Sequence, residues 1–324
     1  MNSHNRASMS RRALLGAAMV AAATASRAVN AQESTPGAES EVAPQLPAAD
    51  LPTMNEQGFT FELESTWSGS FDGVPTEAPV YQLTLPTFDV AAVEELAAKF
   101  AIDGEVQDQG NGTYMVDGNG SLFVTSELQQ YVSNEAAPEG ELPDDDQAVA
   151  FAREWLRQIE LLPANAGDGY VVARIEDPAR VIVSVPPIEP ENLLSSYPAI
   201  TITMGPQAAI IEAAFRWATM STGDLYALLA IDTAWLEVEE RRSYLQADIP
   251  ASDFEPGSLI SGTADYTAVD IAYTSSGIPG QAQYLQPVYA FVGQVTVVTA
   301  EATSGPYAIT AYVPALINSQ QPVG

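Results

Sequence analysis

Residues 89–126, DVAAVEELAAKFAIDGEVQDQGNGTYMVDGNGSLFVTS, carry one helix signal followed by two hairpin signals. Asp89 is placed to cap a helix, since a short oxygen-bearing side chain can accept from the free amides of the first turn. Val93, Leu96, Ala97 and Phe100 then fall on one helical face, Glu95 and Lys99 stand four apart, and Gly104 follows as a stop. Beyond it, Asn111-Gly112 and Asn119-Gly120 interrupt short apolar runs. Asn-Gly adopts the left-handed conformations that a tight hairpin needs, so this reads as strands joined by turns.

The same logic recurs at 144–163, DDDQAVAFAREWLRQIELLP. Asp144, Asp145 and Asp146 crowd a helix start, and Ala148, Phe151, Ala152, Trp155, Leu156 and Ile159 form its apolar stripe. Residues 170–186 and 197–220 each read as two alternating strands, turning at Asp177-Pro178 and at Gly205-Pro206. A third helix is expected at 231–242 with Asp232 as its cap, and strands at 59–64, 80–86, 267–275, 284–300 and 306–314. Pro79-Val80-Tyr81 and Pro287-Val288-Tyr289 echo one another, and an acid- and proline-rich gap spans 133–143. The pattern predicts an α+β fold: two weakly repeated units of helices packed on antiparallel sheets, at 58–139 and 140–324, with a strand-rich C-terminus.

The N-terminal residues read as an address. Arg6, Arg11 and Arg12 lead an apolar run from Ala13 to Ala25, and Val29-Asn30-Ala31 offers a small-x-small cleavage pattern. Residues 1–31 are therefore expected to be a signal peptide, cut after Ala31. Ser10-Arg11-Arg12-Ala13-Leu14-Leu15 resembles the twin-arginine motif, with Leu14 where Phe is commoner and no Lys following. A general secretory signal is the alternative. Residues 32–57 are rich in Pro, Ala, Glu and Ser without an apolar period, and read as a disordered linker. No later stretch has 18 uninterrupted apolar residues, so an extracellular or cell-envelope location without a transmembrane segment is expected. With no cysteine, lipid anchoring through a thiol is excluded.

Composition narrows the function. The chain carries 12 basic against 42 acidic residues, a net charge of −30. Removing residues 1–31 takes four arginines and no acid, leaving −34. Such a surface repels phosphate backbones and anionic lipid, so nucleic acid is not an expected partner. The single histidine, His4, lies in the address segment, and Lys99 is the only lysine. Ser-His-Asp and Cys-His nucleophile systems, His/Cys zinc sites and Walker loops are thereby excluded, and an enzyme is disfavoured. Carboxylates remain, but with 42 of them a glycosidase pair is defined only by its spacing in space.

Three stretches carry candidate sites. The loop 110–121 fails the phosphate-binding glycine pattern at Met115 and the calcium-loop pattern at Leu122, and two hairpin turns explain it. Asp144, Asp145 and Asp146 are the candidate metal ligands, for loosely bound Ca²⁺ if any cofactor is present, against the reading that they serve the helix start. Trp217, in AAFRWATM, is the candidate ligand-contact residue, while Trp155 and Trp235 sit in helical stripes.

Residues 91–124, 197–217 and 284–295 resemble exported bacterial proteins of PepSY type and the extracytoplasmic YycH/YycI regulators. The resemblance rests on pattern over about 80–315 and implies a binding or regulatory role, with no site residues carried over. The leading expectation is a non-enzymatic exported protein that recognises a protein or peptide partner, by strand addition or in a groove. A carboxylate-based glycan-acting enzyme or glycan-binding module is the alternative, and a Ca²⁺-assisted surface protein the second.

Overall fold

The long alternating runs near the C-terminus become the longest elements of the fold, β13 (Leu259–Ser276), β14 (Gln283–Val298) and β15 (Thr303–Pro314). The structure is a computed structural model that describes residues 46–49, 51, 58–194, 197–250, 254, 257–276, 283–298 and 303–316. The expectations at Arg11, Arg12 and Ala31, and much of the 32–57 linker, lie outside the described residues. Those described belong to one compact unit.

In chain order the preceding strands are β1 (Thr60–Trp67), β2 (Glu77–Thr84), β3 (Val106–Gly110), β4 (Thr113–Asp117), β5 (Gly120–Val124) and β6 (Gln129–Ser133). They continue with β7 (Tyr170–Glu176), β8 (Ala179–Val185), β9 (Ala199–Met204), β10 (Ile210–Arg216), β11 (Thr219–Ala227) and β12 (Tyr244–Ala247). The helices are α1 (Val90–Lys99), α2 (Asp145–Gln158) and α3 (Ile231–Glu239). One sheet has eight strands in the order β3-β4-β5-β6-β10-β9-β8-β7, every neighbouring pair antiparallel. The other has seven: β1-β13-β14-β15-β12 form its path, β2 joins the end of β14, and β11 joins β2. In it β1 runs parallel to β13, with Thr60 opposite Leu259.

This corrects the expected α+β class. Fifteen strands and only three short α-helices occur among the described residues, in two large sheets, so the fold is strand-dominated and all-β-like. The apolar stripes at 93–100 and 148–159 gave helices of 10 and 14 residues, but period-2 alternation elsewhere covers far more chain. Nor do the sheets follow the expected halves. β1 and β2 pair with the C-terminal strands, while β6 meets β10 across the 139/140 boundary.

Local rules operate as the chain dictates. Asp89 Oδ1 accepts from the Ala92 amide at 2.8 Å, Lys99 pairs with Glu95, and Asn111 and Gly112 take φ of 55° and 72° between β3 and β4. Asp232 does not cap α3; Ala230 holds that position, with Asp232 in the first turn. In α2, Ala148, Ala152 and Leu156 are fully buried, whereas Phe151 is 49% exposed, one step off the buried face. One core gathers these with Val116, Leu122, Val183 and Ile202 of the eight-stranded sheet. A second joins Trp235 and Val238 of α3 to Tyr266, Tyr289 and Phe291 of the seven-stranded one.

Candidate functional site

The chain passes between its two sheets at adjacent places. Residues 85–89 lead from β2 of one sheet to α1, and Trp217 and Ala218 lead from β10 of the other sheet to β11. β11 pairs with β2, with Thr219 opposite Thr84, so the two crossings lie side by side. A cleft of about 290 Å³ opens there.

Its walls are Leu85, Pro86 and Phe88 from the first crossing, Trp217 from the second, and Leu96, Leu161, Pro163, Ile200 and Phe215 from the elements beneath. Thr84, Thr219 and Gln129 supply the polar rim. Gln129 is buried, and its Nε2 donates to the Thr125 carbonyl at 2.9 Å, which fixes the side chain. Phe215 meets Phe100 edge to face at 5.8 Å, and Phe100 stacks on Tyr131 at 4.8 Å, so the floor is braced by an aromatic cluster. Among the described residues no acid, arginine or lysine lines the cleft, which favours burying apolar surface over proton transfer or charge recognition.

A second apolar group flanks this region: Leu83, Ala218, Tyr273 and Leu285, with Tyr81 and Tyr197 packed on it. Tyr197 donates from its hydroxyl to Gln283 Oε1 at 3.1 Å, and burial, helped by Glu127, pushes its pKa up to about 12. Tyr81 and Tyr273 are also pushed up, chiefly by burial. These phenols are therefore neutral packing groups at ordinary pH, not bases.

Asp144, Asp145 and Asp146 lie at the start of α2. Asp144 Oδ1 accepts from the Gln147 amide at 2.8 Å and Gln147 Oε1 accepts from the Asp144 amide, a reciprocal capping box. Asp145 faces Arg174 of β7 at 2.7 Å, and Arg174 also donates to the Pro143 carbonyl. Among the described residues no group of three or more Asp, Glu, His or Cys is arranged to hold a metal ion. The hollow beside these acids, lined also by Leu142 and Pro143, contains no aromatic residue. The structure thus places the two sequence candidates apart: Trp217 lines an apolar cleft, and the three acids lie at the start of α2. Sequence reasoning missed the partners of Trp217, because Leu85, Phe88 and Leu161 are ordinary apolar residues far from it in the chain. No helix among the described residues is long and apolar enough to cross a membrane.

No family model and no curated protein matches the chain. Among solved structures, an uncharacterized protein from Eubacterium rectale ATCC 33656 aligns at a TM-score of 0.41 and 12% identity, over 87% of this chain and 94% of that one. The C-terminal domain of Bacillus megaterium YpeB aligns at a TM-score of 0.34 and 8% identity, over 68% of this chain and 98% of that one. At these TM-scores the likenesses carry no argument about fold or activity.

Proposed function

We propose that this chain is an exported, non-enzymatic binding or regulatory protein that takes an apolar side chain of a protein or peptide partner into the cleft at Trp217. The observation that carries the reading is a concave, aromatic-floored site without an ionisable side chain, set where the two sheets meet. Buried aromatic anchors dominate binding energy at such sites. The PepSY-type and YycH/YycI resemblance of the sequence points the same way, towards binding or regulation. The glycan-acting alternative gains no support: among the described residues the aromatic cleft is lined by no carboxylate and the acidic hollow by no aromatic.

The test is a peptide library screened in solution against the purified chain, with affinities measured by anisotropy. Trp217→Ala should weaken the best binders by about thirtyfold or more, a hot-spot loss of roughly 2 kcal/mol, and Trp217→Phe by much less. Unchanged affinities in Trp217→Ala would reject the cleft, and hydrolysis of polysaccharide or peptide, abolished by one Asp or Glu substitution in a folded protein, would reject the non-enzymatic reading. Export is tested separately. Replacing Arg11 and Arg12 by Lys should stop secretion if the twin-arginine route is used, and normal secretion would leave the general route.

A further inference from the structure

The outer face of the seven-stranded sheet is divided. On β14, Val292, Gln294 and Val298 are exposed, whereas Gln286, Val288 and Ala290 on the same face are buried. Their cross-strand neighbours on β13 are Thr274, Ala272 and Asp270. What covers the buried part includes a short piece of the N-terminal spacer. Ala49 and Leu51 pack on Ala272, Val288 and Ala290, with Tyr312 alongside. The Gln286 side chain is only 2% exposed, and its Nε2 donates twice: to Ser276 Oγ at 2.6 Å and to the main-chain carbonyl of Pro47 at 2.7 Å.

That amide is informative. A buried glutamine NH₂ has two donors, and leaving one unmade carries the full desolvation penalty. Here the second donor is met by a backbone oxygen from residues 46–49, which among the described residues belong to no strand of the sheet. Reading a main-chain carbonyl by a fixed side chain, with small side chains forming the trough beside it, recognises an extended peptide and not one particular residue. Proline at the bonded position presets an extended backbone and lowers the ordering cost.

The geometry points to a peptide-binding site on β13 and β14, formed by Gln286, Ser276, Ala272, Val288 and Ala290, whose ligand is an extended, proline-containing apolar segment and which Leu46–Ala49 and Leu51 occupy in cis. It lies on the opposite sheet face from Tyr273 and Leu285, so it is independent of the Trp217 cleft and stands or falls without it.

The chain lacks cysteine, which gives a clean probe. Ala49→Cys in the full chain should react slowly with a thiol reagent. A free peptide of residues 46–52, LPAADLP, at about millimolar concentration, comparable to the effective concentration of a tethered ligand, should raise that rate severalfold, while a scrambled peptide should not. In an Ala49→Cys, Gln286→Leu chain the starting rate should already be high, and the peptide should add nothing. A second measurement uses Leu51→Asn, which weakens the cis segment: fluorescent LPAADLP should bind it at least about tenfold tighter than it binds the unaltered chain. A rate indifferent to the peptide, an equal effect of the scrambled peptide, or a folded Leu51→Asn chain that does not bind would each overturn the assignment. A labelling rate that falls as protein concentration rises, alongside a dimer peak, would assign the trough to the segment of a second copy and overturn the cis reading.

Discussion

Replacing Asp144 by Ala separates a helix terminus from a metal site. Asp144 Oδ1 accepts the Gln147 amide at 2.8 Å, a full-strength cap, and losing such a cap costs about 1 kcal/mol within a range of roughly 0.5–2. The return arm of the box, from the Asp144 amide to Gln147 Oε1, is 3.4 Å long and adds little. Asp145 makes the better-looking ion pair, at 2.7 Å to Arg174, yet its side chain is 67% exposed and that of Arg174 38%. Water and salt screen such a pair, and Asp145→Asn should cost about 0–1 kcal/mol. The geometric reading therefore ranks Asp144→Ala above Asp145→Asn and Asp146→Asn, with a melting temperature lower by roughly 2–4 °C for a chain of this size. Denaturant midpoints for the parent and the three variants, in calcium and in EDTA, read the effect. The helix-terminus account expects the ranking to be the same in both. If calcium stabilises the parent, by about 2.7 kcal/mol at a hundredfold excess over its dissociation constant, and each substitution alone removes that gain, the three acids form a metal site and the capping argument fails.

Other expectations follow from burial and backbone contact. Leu156→Ala should cost about 2–5 kcal/mol, because the side chain is fully buried, whereas Phe151→Ala on the same helix should cost far less; equal losses in urea unfolding would contradict the placement of α2. A Cβ at Gly262 would sit 2.0 Å from the Thr296 carbonyl oxygen, across the central β13–β14 pair, so Gly262→Ala should fail to reach the parent's thermal stability by several degrees, and a parent-like melting curve would count against that register. Tyr197 and Tyr289 are both pushed up to about 12, chiefly by burial, from an ordinary value of 10.0. The native chain therefore keeps protons that the unfolded chain sheds, and this stability is fully present below pH 10 and lost as the pH climbs towards 12. Urea midpoints should fall over that window and fall less in Tyr197→Phe; a flat profile would refute the burial of these phenols.

The local elements were legible because their signals are local. Asp89, the 93–100 stripe and Asn111-Gly112 each specify structure within a few residues of themselves, and α1, β3 and β4 form where those signals stand, whereas Asn119-Gly120 joins β4 to β5 without the left-handed backbone expected of it. The fold class was not legible, for a physical reason. A helix declares itself over 10–14 residues by a period that nothing else produces, whereas a strand's partner is set by contacts made across the whole chain. Nothing near Thr60 announces that β1 will run parallel to β13 about two hundred residues later, or that β6 will pair with β10 and not close its own sheet. The helix signals therefore stand out in the sequence beyond their share of the fold, and the strands read as successive units.

The sites follow the same rule. Asp144 could be read as a helix start from its neighbours in sequence, since the residues it serves are its neighbours in space. Trp217 could be singled out only as an aromatic between sheets' worth of alternating residues, because its cleft is made by the two crossings, and a crossing exists only once both sheets do. Gln286 gave no signal at all. In sequence it is one polar residue before Pro287 in an apolar run, and its significance arises from a carbonyl 239 residues away. Buried polar groups acquire meaning from their partners, and a chain whose contacting residues are this remote in sequence discloses those contacts last.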